Sequence, residues 1–160
     1  MKFVADCMLG KLARWMRILG FDVAYYCTID DEKLLSLAAD EGRTILTRDK
    51  ELLKKAPRNG LLIESESWSE QIEQVLNHFQ LRDRVAPYTR CLVCNTILHE
   101  LPKVKAKNVV PDFIYKRNET FAQCPDCARI FWKGSHYDNM NKKIALLIDE
   151  KGENGSQNNN

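Results

Sequence analysis

Two identical cysteine pairs, Cys91-x-x-Cys94 and Cys124-x-x-Cys127, stand 29 residues apart in a chain of 160. A CxxC turn holds two thiolates about one tetrahedral edge apart, and two such turns brought together complete a closed four-sulfur site suited to Zn²⁺. Cys91, Cys94, Cys124 and Cys127 are therefore read as the ligands of a structural zinc ribbon, with iron or a redox dithiol as the alternatives. A closed site has no open position for a substrate, so this element is a folding device. Cys7 and Cys27 stand alone and read as small core hydrophobes.

The second signal is acidic. Asp6, the Asp30-Asp31 pair and Asp49 each follow a short apolar run that reads as a strand. In open parallel sheets ligands bind beyond the carboxyl ends of the strands, so three loops would deliver carboxylates to one rim. Hard cations such as Mg²⁺ or Mn²⁺ take oxygen ligands of this kind, and one or two ions there could activate water and stabilise the leaving oxygen of a phosphodiester. Each aspartate taken alone also reads as an ordinary helix N-cap. Beside Asp6, Lys11, Arg14 and Arg17 recur every three residues, which places them in one slowly spiralling stripe along a helix. A phosphate backbone could follow that stripe, or it could simply be a solvated face. Gly134-Ser135-His136-Tyr137 could return a histidine and hydroxyls toward the same substrate. GxGxxG, P-loop, HExxH and GxSxG patterns do not occur, which argues against a nucleotide cofactor, zinc proteolysis and serine hydrolysis.

The elements that must position these residues alternate between short apolar runs and amphipathic stretches, the pattern of a parallel sheet with crossover helices. Strands are expected at 2–5, 21–26, 43–47 and 61–63. Between them lie a helix from Met8 to Leu19 stopped by Gly20, a second from Asp30 or Asp31 to Glu41 stopped by Gly42, and a short third one between Asp49 and Pro57. Trp68, Ile72, Val75, Leu76 and Phe79 mark a fourth helix face. Residues 81–133 change character, with four prolines and strand-like pieces at 97–101 and 113–115. Met140, Ile144, Leu147 and Ile148 then mark a last helix.

Charge divides along the same line. Residues 1–80 carry 11 Lys and Arg against 13 Asp and Glu, whereas residues 81–133 carry 10 against 5, a basic unit suited to phosphates. At 44% hydrophobic and 29% charged residues, composition excludes disordered and fibrous classes for the chain as a whole. The apolar run Ala145–Ile148 falls far short of the ~20 residues that cross a bilayer. Asp6 also interrupts what would be the apolar stretch of a signal peptide, so no membrane association and a cytoplasmic location are expected.

The run Asp6-x-Met8-Leu9-Gly10-Lys11-Leu12-Ala13-Arg14-Trp15-x-Arg17-x-Leu19-Gly20, the Asp30-Asp31 pair, Thr47-Arg48-Asp49, Arg90-Cys91-x-x-Cys94-Asn95 and Trp132-x-Gly134-Ser135-His136 together resemble the Mut-seven C-terminal RNase family. The resemblance covers about residues 1 to 140. It implies a PIN-like nuclease domain joined to a zinc ribbon, with ribonuclease activity. On that similarity Asp6, Asp30, Asp31 and Asp49 match the acidic metal-binding positions, and Glu51 is the nearest candidate for the fourth acid typical of such sites. Arg48 and His136 join Lys11, Arg14 and Arg17 as expected RNA contacts.

The expectation is thus an α/β fold: a PIN-like parallel sheet with crossover helices over residues 1–80, a Cys₄ zinc ribbon over 81–137, a helix over 138–150 and a disordered tail over 151–160. Its expected work is Mg²⁺- or Mn²⁺-dependent hydrolysis of RNA, gripped in part by the ribbon. A catalytically silent RNA-binding module and a zinc-ribbon adaptor for protein partners are the competing expectations.

Overall fold

The computed structural model describes residues 1–55, 59–135 and 137–149. His136 and the polar tail lie outside the described residues. Strand β1 (Lys2–Ala5) sends Phe3 and Ala5 to one core and Val4 to another, the period-two alternation of a strand covered on both faces. It pairs in parallel with β2 (Asp22–Tyr25) and β3 (Thr44–Thr47), and β3 pairs in parallel with β4 (Gly60–Leu62). The order is β2-β1-β3-β4. The crossovers are α1 (Gly10–Ile18), α2 (Asp31–Glu41) and α3 (Lys50–Lys55), followed by α4 (Trp68–His78). Leu12 and Met16 of α1 and Ile72, Val75 and Leu76 of α4 fill one core, while Leu34 and Ala38 of α2 and Leu52 of α3 fill the other.

Local chemistry sets the boundaries. Asp30 caps α2 through the Lys33 amide at 2.8 Å, and Gly42 ends it at φ +62°. The first helix starts later than expected, because Cys7–Leu9 form a 3₁₀ turn capped by the Asp6 carboxylate on the Cys7 amide at 2.6 Å. Gly10 is required where it stands: a Cβ there would lie 2.6 Å from the Tyr25 hydroxyl, which donates to the Cys7 carbonyl at 3.0 Å.

The second unit is a three-stranded antiparallel sheet, β5 (His99–Leu101), β6 (Phe121–Gln123) and β7 (Ile130–Trp132), in the order β5-β6-β7. Between β5 and β6 lie two short helices, α5 (Lys103–Ala106) and α6 (Asp112–Arg117), packed on Leu101 and Phe121. The strand expected at 113–115 is therefore helix α6. Its β-prone Phe113, Ile114 and Tyr115 are overridden by a Pro111 N-cap and by the Asp112–Lys116 ion pair at i,i+4.

The last helix, α7 (Tyr137–Asp149), returns to the first unit and buries Ile144 and Leu147 in the α1/α4 core. Burial of each such side chain contributes about 2 kcal/mol, enough to hold a helix that would be marginal in water.

The two units are stitched by buried polar groups. Arg17 is only 7% exposed; its Nε donates to the Val23 carbonyl at 2.9 Å, and its Nη1 to the Leu92 and Val93 carbonyls at 3.0 and 3.1 Å. Asn95 accepts from the Val23 amide at 3.0 Å and donates to Asp22 at 2.7 Å, so it covers the open edge of β2. Arg43 Nη1 donates to the same Asp22 oxygen, Oδ1, at 2.6 Å. Burial opposes ionisation of Asp22, but the hydrogen bonds from Arg43 and Asn95 and the charges of Arg43 and Arg90 outweigh it and hold the carboxyl below its ordinary range.

Because the folded pKa of Asp22 is depressed, its stabilisation is complete above the unfolded value near ~3.9 and disappears as pH falls through the folded one. Denaturant titration of Asp22→Asn should show a loss of about 1–3 kcal/mol at neutral pH, as Arg43 loses a charged partner. The gap to the parent should close below about pH 4.

Candidate active site and metal centre

From β1 the chain passes to β2 on one side, then crosses back to β3 on the other. The strand order therefore reverses between β1 and β3, and the crevice beyond their carboxyl ends is where open α/β sheets bind ligands. Asp6 immediately follows β1 and Thr47 ends β3. The Asp6 amide donates to the Leu46 carbonyl at 3.0 Å, which prolongs the β1–β3 pairing by one bond.

Thr47 is fully buried and works in both directions. Its hydroxyl donates to Asp6 Oδ2 at 2.9 Å and accepts from the Asp49 amide at 2.9 Å. Asp6, 8% exposed, is thereby fixed relative to the turn that carries Asp49. Asp49 is exposed and accepts through Oδ1 from the Glu51 and Leu52 amides at 2.7 and 3.2 Å, as the cap of α3. The sequence reading missed Thr47, whose signal is its place two residues before Asp49 at the end of a strand.

The other acids are placed differently. Asp30 caps α2 and pairs with Lys33 at 2.7 Å, and Asp31 lies 3.7 Å from Lys55 Nζ. Glu51 pairs with Lys54 at 2.7 Å. Among the described residues, the only group of three or more His, Cys, Asp or Glu side chains placed to hold one ion is the cysteine set; the four aspartates do not form such a group.

The basic stripe is shorter than expected. Lys11 is exposed, with Nζ 5.3 Å from the centroid of Trp68, which itself stacks on Trp15 at 4.5 Å. Arg14 is exposed. Arg17 is buried and its guanidinium is spent on carbonyls, so it belongs to the inter-unit seam rather than to a solvated face. Burial lowers its pKa, and the nearby Cys91, Asp22 and Cys94 offset part of that. Arg48 reaches Glu66 at 3.0 Å.

Cys7 and Cys27 are both exposed, which corrects their reading as core hydrophobes: each lies just past the end of its strand, outside the packed layers. A hydrogen bond to Asp6, with some burial, pushes the Cys7 thiol up.

Cys91, Cys94, Cys124 and Cys127 come together with all four sulfurs within 4.8 Å of one another. The Cys91–Cys127 separation is 3.8 Å. An ideal tetrahedral Zn–S site has edges of about 3.8 Å, so the donor set and its spacing fit a four-coordinate zinc ribbon. Two turns of equal design build it. Asn95 and Ala128, each four residues after its leading cysteine, take positive φ of 66° and 58° and return their amides to the Cys91 and Cys124 carbonyls at 2.9 and 3.0 Å. Hydrogen bonding to Cys127, burial and the crowding of the other thiols push Cys94 up to about 12, so a bound cation would replace the proton that this sulfur otherwise retains.

A model of the Mut7-C RNAse domain matches residues 1–144. This chain belongs to the Mut7-C RNase domain family. No curated protein and no solved structure matches it. Nearly all described residues of this Mut7-C domain fall inside the match, which spans the parallel sheet, the cysteine cluster and most of α7. Membership points to a nuclease-like function. No described helix is long and apolar enough to cross a membrane.

The Arg17 and Asn95 bonds tie the metal centre to β2. Metal analysis should find one tightly held ion per chain. Stripping it with a strong chelator, or introducing Cys124→Ser, should lower the melting temperature and speed amide hydrogen exchange at Val23 as well as in β5–β7.

Proposed function

We propose that this Mut7-C domain is a metal-dependent ribonuclease that hydrolyses RNA phosphodiester bonds, with Zn²⁺ in the Cys₄ site as a structural ion and a cytoplasmic RNA as substrate. The observation that carries this reading is the Asp6–Thr47–Asp49 linkage at the point where the strand order reverses. Two carboxylates suffice for the chemistry, because Mg²⁺ keeps most of its waters and is commonly held by one or two carboxylates plus substrate phosphate. Asp6 and Asp49 would hold Mg²⁺ or Mn²⁺, which supplies charge neutralisation and an activated water when bound.

The protein's own residues do the rest. Asp6 accepts from the Cys7 amide on Oδ1 and from the Thr47 hydroxyl on Oδ2, and a carboxylate has lone pairs beyond these, so the side chain is both oriented and still able to ligate. Thr47 acts as a positioning residue, fixing Asp6 without touching the substrate. Lys11, Arg14 and Arg48 stand near the two acid-bearing strand ends in sequence and would receive phosphates. In this reading Asp30 or Asp31 would complete the metal's shell or orient the attacking water, once an RNA or a cation competes with their lysine partners.

The silent RNA-binding module draws support from one observation, the absence of a cluster that unites all four aspartates among the described residues. The two readings part in a single experiment. With Mn²⁺ the parent should cut mixed RNA and melt several degrees higher, whereas Asp6→Asn and Asp49→Asn should cut about 100-fold or more slower and lose the Mn²⁺ shift. Without divalent cations, both variants should be no less stable than the parent. Equal cleavage and equal shifts in parent and variants would remove the acids from catalysis.

A further inference from the structure

A cleft of about 360 Å³ separates α1 from the ribbon, and its walls come from both units: Arg14 on one side, Leu92 and Val93 of the first cysteine turn at its base, and Arg129, Ile130 and Phe131 on the other. That volume falls in the range of small-molecule sites. The chemistry of the lining is divided. Arg14 and Arg129 are exposed and make no ion pair among the described residues, and no acidic side chain lines the cleft. Between them lie aliphatic and aromatic side chains, including Val93, which is 52% exposed.

The base of the cleft is rigid for a stated reason. The Leu92 and Val93 carbonyls point away into the seam and accept from Arg17, so the two side chains are presented by a backbone pinned from beneath. On the opposite wall, Arg129 is held through its carbonyl, which accepts from the Cys124 amide at 3.0 Å. The Leu92–Val93 base is thus fixed by inter-unit bonds and the Arg129 wall by a bond inside the ribbon, and the cleft between them needs both units.

We infer that this cleft binds one nucleotide of a single-stranded RNA, its phosphate held between Arg14 and Arg129 and its base laid on Val93, Ile130 and Phe131. Guanidinium pairs suit phosphate, and sequence-tolerant grip on single strands combines such cations with flat apolar contact to bases. A paired base has no free face to offer, so duplex RNA would be excluded. The inference rests on the ribonuclease reading for its choice of occupant. It also extends that reading: Arg14 lies four residues into α1 from Gly10, about 6 Å along the axis. The 3₁₀ turn Cys7–Leu9 adds to the distance between Asp6 and Arg14, so the cleft would hold a nucleotide further along the strand than the one that is cut.

The test measures binding of a short fluorescent polyuridylate strand, alone and annealed to polyadenylate, over a range of salt, in an Asp6→Asn background that leaves the strand intact. Arg14→Ala combined with Arg129→Ala should weaken the single strand about tenfold or more and reduce the salt slope by about 0.7, the value for one single-strand phosphate. Val93→Asn, an exposed change that leaves the fold alone, should weaken binding severalfold with the slope unchanged. The duplex should bind the parent more weakly than the single strand. Unchanged affinity in the double variant, equal binding of duplex, or displacement of the strand by polyglutamate at equal charge would overturn the inference. Mn²⁺-dependent cleavage by the protein with native Asp6, together with unaffected cleft variants, would discard the cleft and keep the ribonuclease. Weakened binding in the variants with no cleavage would do the reverse, and absence of any strand binding would discard both.

Discussion

A guanidinium buried between two units is the constraint on which the rest of this structure turns. Arg17 cannot lose its charge and is taken from water on a helix that otherwise packs Leu12, Met16 and Leu19 into the core. Desolvating such an ion costs several kcal/mol unless its donors are used and opposite charge lies near. Three carbonyls meet that demand, one on β2 and two on the first cysteine turn. The position of the metal-binding turn is therefore dictated by the sheet. Asn95 and Arg90 reinforce the same junction, with Arg90 donating to the Gly20 and Asn95 carbonyls at 3.0 and 2.7 Å. Removing Arg17 would leave unpaired carbonyls in a closed seam, so the unit boundary visible in composition is energetically a joint.

The carboxyl edge of the sheet follows another economy. The aspartates after β1 and β3 are caps and candidate ligands at once, and the two roles do not conflict. A capping carboxylate is held in place by the amides at the start of a short turn, and its remaining lone pairs stay free for a ligand. Thr47 adds a hydroxyl that faces both loops, so the two acids move together if they move at all.

Much of this was legible in the sequence. Period-two and helical patterns with glycine stops located all four parallel strands and α1 to α4, because each of those signals is local. The cysteine spacing located the metal centre for the same reason. What could not be read was the partner of each polar side chain across the chain. The i, i+3, i+6 spacing of Lys11, Arg14 and Arg17 predicts a shared stripe, but which side of a helix meets a neighbour depends on units 75 residues away in sequence. Asp22 and Arg43 belong to no sequence pattern, yet they form a largely buried ion pair. The 113–115 segment failed for an opposite reason: aromatic content suggested a strand, while proline and an i,i+4 ion pair decided for helix.

The return of α7 to the first core sets an order of events during synthesis. The sheet, α1 and α4 emerge first, yet the apolar face they share stays open until Ile144 and Leu147 arrive. All four cysteines precede those residues, so their cluster can close while the α1/α4 core is still unsealed. At elongation rates of roughly 5–20 residues per second that interval lasts about 1–4 s. Through it the part of the α1/α4 core that receives Ile144 and Leu147 stays open to whatever hydrophobic surface is nearest. The ribbon then serves as the spacer that measures the delay, and a chain halted before α7 would leave the ribosome with a formed metal knuckle and a sticky, unfinished sheet.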